Sequence, residues 1–144
     1  MGMFWDNKQE RLDRRVYKAI DAKNITKLKE ALDAGGAIDA KGYWGWVYHA
    51  VNNNFNAALP LLLERGAPVD GRGPFGYTPL RMAANKGNGD AARLLLEAGA
   101  HINAADENGL TPLHGAAHAG RMDMIAFLLE QGADIAARDK NMNT

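Results

Sequence analysis

The chain contains no cysteine. That excludes a disulfide framework, a thiolate metal site and a cysteine nucleophile, and it is compatible with any redox compartment. An excess of charge of either sign is missing too, since 17 Lys and Arg stand against 17 Asp and Glu. A balanced chain has no global field to draw it onto nucleic acid or an anionic membrane. No apolar run approaches the length of a membrane span. The start, Met1 to Asp6, lacks the apolar core of a secretory signal. Gly2 follows Met1, but Asp6 occupies the place where a myristoylation start wants Ser or Thr. These absences set the expectation of a cytoplasmic protein with no membrane or nucleic-acid partner. The phosphate-binding patterns G-x-x-x-x-G-K-[ST] and G-x-G-x-x-G are also missing. Gly71-Arg72-Gly73-Pro74 has glycine spacing but reads as a turn.

What is present is repetition. Gly66-Ala67, Gly99-Ala100 and Gly132-Ala133 follow one another at intervals of 33 residues. Each pair is preceded in the same register by an apolar run ending in Glu: Leu61 to Glu64, Leu94 to Glu97, Phe127 to Glu130. Thr78-Pro79-Leu80 recurs as Thr111-Pro112-Leu113, and Ala83-Ala84 as Ala116-Ala117. A fixed period of this length marks a stack of supersecondary units, none of which buries its apolar face alone.

The fourth unit is the clearest: Gly109-Leu110-Thr111-Pro112-Leu113-His114-Gly115-Ala116-Ala117, then Gly120, Ile125 to Leu129, and Gly132-Ala133. This pattern resembles the ankyrin repeat, and the resemblance covers residues 11 to 144. It implies an all-α solenoid of about four helix-turn-helix repeats joined by short β-hairpin-like loops. The expected division is an N-terminal extension over 1–10, a capping repeat over 11–39, an irregular repeat over 40–72, regular repeats over 73–105 and 106–138, and the start of a fifth unit over 139–144. Thr111 and Pro112 read as an N-cap followed by proline at the first helical position. Gly120, with Asn54 as its counterpart, is expected to end a helix in the left-handed conformation. Leu12, Val16, Ala19 and Ile20 form the apolar stripe of the cap, opposite Arg11, Arg14, Arg15 and Lys18. Pro60 predicts a second helix that starts late, and Phe55 a place in the core.

Chemistry is thin. His114 and His118 are four apart, a spacing able to hold a metal, but His114 is the motif histidine and His118 a surface position. Asp90, Asp106, Asp123 and Asp139 recur with the repeat and read as caps and turns. No catalytic residue, metal or cofactor is assigned.

The family resemblance implies instead a protein or peptide partner, held on the concave side by hairpin tips and inner helices. Carried over by position, the contact sites with the strongest character are Tyr43, Trp44, Trp46, Arg72, Phe75, Tyr77, Arg81, Asn108 and Leu110. Five of these are aromatic and fall in two adjacent tips, and aromatic and Arg side chains dominate interface hot spots. Trp46, aligned with Pro79, is the one best suited to packing instead. Two other classes stay open: a targeting module of a larger enzyme or secreted effector, and a structural protein that self-associates through its C-terminal repeat.

Overall fold

In the computed structural model, which describes residues 7–38 and 45–138, the chain forms eight α-helices among the described residues. They come in pairs: α1 (Lys8–Asp21) with α2 (Ile25–Asp33), α3 (Trp46–Asn52) with α4 (Ala58–Glu64), α5 (Pro79–Lys86) with α6 (Gly89–Glu97), and α7 (Pro112–His118) with α8 (Met122–Glu130). The first helices stack in an inner layer, α1 on α3, α3 on α5 and α5 on α7. The second helices form an outer layer, with α2 against α4 and α4 against α6. α1 starts at Lys8, so the first helix reaches back into the stretch expected to be an extension.

Local chemistry sets each boundary. Thr78 and Thr111 accept hydrogen bonds from the backbone N–H groups of Arg81 and His114, and Pro79 and Pro112 follow them in the first helical position. The inner helices end on left-handed residues: Lys23 (φ 52°), Asn54 (φ 58°), Gly87 (φ 67°) and Gly120 (φ 68°). Asn24 and Asn88 then cap the outer helices α2 and α6 through their side chains. α4 begins two residues later than its counterparts α6 and α8. Pro60 consequently sits in the first turn, where its missing N–H has no intrahelical acceptor to lose.

The core is continuous along the stack. Val16, Ile20, Leu28, Val47, Leu59, Leu62, Leu80, Leu95 and Leu128 are inaccessible, with Phe55 buried among them. Alanines at 83, 84, 91 and 92 are also fully covered and let the layers approach closely. Burying a Leu or Val side chain contributes about 1.5–3 kcal/mol, and these side chains pack both within and between helix pairs.

Candidate functional site

The hairpin tips project from the inner layer. The tip before α5 closes with the Gly73 N–H donating to the Tyr77 carbonyl at 2.8 Å, and the tip before α7 with Asp106 N–H to Leu110 O at 2.9 Å. Asp106 Oδ1 also accepts from the N–H groups of Asn108 and Leu110, which stiffens the second tip. The tips are tied to each other. Arg72 Nη1 donates to Gly76 O at 2.6 Å and across to Ala105 O at 2.8 Å. Glu107 N–H donates to Phe75 O at 3.1 Å.

Phe75 sits at the apex with 68% of its surface exposed. Its backbone is left-handed (φ 58°, ψ 20°) within the short 3-10 turn Pro74–Gly76. Asn108 aligns with it in the next tip but is not left-handed; there Gly109 is, at φ 79°. Asn and Gly tolerate that conformation, whereas a bulky side chain there is a genuine outlier. The Tyr77 ring lies 6.2 Å from that of Phe75, and the Arg81 guanidinium carbon lies 4.6 Å from the centroid of Tyr77.

Arg81 replaces the histidine seen at 114. His114 acts locally: its Nδ1 accepts from Thr111 N–H at 3.0 Å and completes a capping box, which leaves the ring proton on Nε2. Arg81 reaches farther. Its Nη1 donates to Asn85 Oδ1, and its Nη2 lies 3.8 Å from Asp106 Oδ2, with both charged side chains almost fully buried. A Cβ at Gly115 would lie 2.5 Å from Arg81 Nη1, so the absent side chain makes room for the guanidinium. Tyr48, at the same motif position one repeat earlier, lies against Gly73, where a Cβ would meet its ring at 2.3 Å. Burial, and then the neighbouring Tyr77, raises the Tyr48 phenol above its usual range.

The expected contact residues therefore divide. Arg72, Phe75, Tyr77, Asn108 and Leu110 lie together on the two tips, with Arg72, Phe75 and Asn108 exposed and Tyr77 and Leu110 half-buried. Trp46 is placed in the core instead, 2% exposed, with its indole N–H donating to Ala37 O at 2.8 Å. It aligns with Pro79, which is also buried in its own repeat. Arg81 is likewise buried, at 4% exposure, and lies beneath the aromatic tip rather than on it. Tyr43 and Trp44 lie outside the described residues.

A second cluster on the inner layer was not anticipated. His49 is buried, stacked on Tyr17 with ring centroids 4.5 Å apart, and its Nε2 lies 3.7 Å from Asp21 Oδ1. Asn53 Nδ2 donates to the His49 carbonyl at 2.8 Å. Burial lowers the imidazole pKa, and Asp21 opposes that shift. Tyr17, Asp21 and His49 come from two helices whose register the irregular spacing of the first repeats obscures, so no linear pattern joins them. Among the described residues, no three His, Asp or Glu side chains are placed to hold a metal ion. Among the same residues, no helix is long and apolar enough to cross a membrane.

A family model described as ankyrin repeats, in three copies, matches residues 47–139, more than half of the chain. No curated protein matches the chain.

Proposed function

The chain belongs to the ankyrin-repeat family, and from that premise we propose that it recognises a protein or peptide partner on its concave side, with Phe75 as the apolar anchor. Ankyrin repeats are generally protein–protein interaction modules. The observation that carries the reading is the combination at Phe75 of high exposure and a left-handed backbone. Held in such a conformation, a bulky residue costs the fold about 1–3 kcal/mol. Exposing a ring of this size adds nothing to the core. Both features make sense if the ring is presented to a partner. Tyr77 and Arg72 flank it, and the bonds from Arg72 and Glu107 hold the apex rigid before binding, which cuts the ordering cost of association. The role is recognition rather than catalysis.

The test is Phe75→Asn, which installs the residue used at position 108. The fold should gain up to about 1 kcal/mol as the strain is relieved, visible as an unchanged or raised melting temperature. Partner capture should fall at least about tenfold, as expected for an aromatic hot spot. The reading is sunk if the wild type and the variant retain the same proteins to the same extent.

A further inference from the structure

Gly89 and Gly109 each follow an asparagine, and these are the two Asn-Gly steps of the chain. Such a step is chemically labile. The peptide nitrogen of the second residue can attack the carboxamide carbon of the first, and glycine has no side chain to screen it. How fast this happens depends on how firmly the fold holds the carboxamide and the following N–H. Asn88 is clamped. Its Oδ1 accepts from the Ala91 N–H at 3.2 Å and from Asn56 Nδ2 at 2.9 Å, and its own Nδ2 donates to Asn56 Oδ1 at 2.8 Å. The residue is half-buried, and Gly89 opens α6. Several bonds must break before the Gly89 nitrogen and the carboxamide carbon can meet.

Asn108 is held differently. It is exposed in the turn of the tip before α7, and its carboxamide takes part in no hydrogen bond among the described residues. What fixes the residue is its backbone N–H, which donates to Asp106 Oδ1 at 2.8 Å. One bond stands in the way of attack: the Gly109 N–H donates to Asp106 O at 3.0 Å. A single backbone bond at an exposed turn belongs to the low end of local opening energies. A neighbouring tip does not cover this place. Phe75, which aligns with Asn108, is 68% exposed although the Asn108 tip lies beside it and Glu107 N–H is bonded to its carbonyl.

We propose that Asn108 is a self-modification site, which converts to aspartate and isoaspartate in the folded protein without an enzyme. The Gly109 nitrogen bonds to Asn108 Cγ, the Cγ–Nδ2 bond breaks, and ammonia leaves with the proton given up by the peptide nitrogen. Water then opens the cyclic imide. Attack at Cγ gives aspartate, and attack at the main-chain carbonyl gives isoaspartate, in which the main chain runs through Cγ. Either product adds a negative charge next to Glu107. The isoaspartyl product also adds one main-chain carbon between Asp106 and Leu110. The Leu110 N–H bond to Asp106 Oδ1, at 3.0 Å, and the Asp106 N–H bond to Leu110 O, at 2.9 Å, both close across that carbon. The tip therefore loosens as the protein ages. That this alters partner capture rests on the recognition reading; the chemistry does not.

Peptide mapping by mass spectrometry of the folded protein, aged in mildly alkaline buffer, tests this, with isoaspartate counted by enzymatic methylation. Asn108 should react at least about tenfold faster than Asn88, because each hydrogen bond that must open first lowers the reactive population. In urea the two rates should converge. Asn56→Ala removes part of the clamp, so it should speed the loss at Asn88 and leave Asn108 unchanged. The isoaspartyl form, separated by anion exchange, should exchange its Leu110 amide proton at least about tenfold faster than the fresh protein. An Asn108 still intact in the folded protein when the urea sample has reacted overturns the proposal. So do equal rates at the two positions in the folded protein, a difference that persists in urea, an Asn88 indifferent to Asn56→Ala, or a Leu110 amide as protected in the isoaspartyl form as before. No partner enters these measurements, so their failure is separate from failure of the recognition reading.

Discussion

At the scale of single residues, the environment of a side chain decides its role more than its type does. Trp46 and Phe75 are both large aromatics near a hairpin, yet one is 2% and the other 68% exposed. Trp46→Ala should therefore destabilise the protein by about 3–5 kcal/mol, measured by urea denaturation. Phe75→Asn should not destabilise it at all. His49 gives a pH dependence of defined sign. Burial holds its folded-state pKa below the ordinary 6.5, against the pull of Asp21. The unfolded chain consequently takes up the proton at higher pH than the folded one. The stability from neutral His49 is complete above 6.5 and is lost as pH falls below that value towards the lower folded-state pKa. Denaturation midpoints at about pH 7.5 and 5.5 should differ in that direction, and His49→Gln should flatten the difference.

At the scale of elements, the tips are fixed by contacts between repeats as much as by their own turns. Gly73 has an ordinary backbone φ of −100°, so its role is space for the Tyr48 ring. Gly73→Ala should cost about 1–3 kcal/mol through overpacking. Combined with Tyr48→Ala, the same change should cost far less than the sum of the two, and a double-mutant cycle measures the difference. Such contacts explain what could be read in advance. Thr111, Pro112, Gly120 and the alanine pairs announce helix ends and close packing because their effects are local, so the pairs and their order were legible. The late start of α4 followed from Pro60 in the same way. The packing of Trp46 was legible from its alignment with Pro79, but the burial of Arg81 was not. It depends on Gly115 and Asp106, which sit in the neighbouring unit, and a position in a repeat alignment does not say whether a long side chain turns outward or in. The left-handed backbone at Phe75 was hidden for a related reason, because nothing in Pro-Phe-Gly demands it, and only the bond to Glu107 and the closed tip show it.

At the scale of the whole molecule, a stack held together by neighbour contacts is only as modular as those contacts. Excising or inserting one 33-residue unit usually leaves such an array intact, because each junction resembles the next. The junction around Arg81 does not. Its guanidinium needs Asp106 and Asn85 for charge and hydrogen bonding and the bare Cα of Gly115 for space. The neighbouring units offer Tyr48 and His114 at the motif position and Met82 or His49 in place of the glycine. An in-frame deletion that joined Arg81 to any other unit would strand a buried charge, at about 3–5 kcal/mol for the broken pair. One that removed or kept the trio together would not. The third and fourth repeats should therefore be inherited, shuffled and lost as a single cassette, however alike their sequences look.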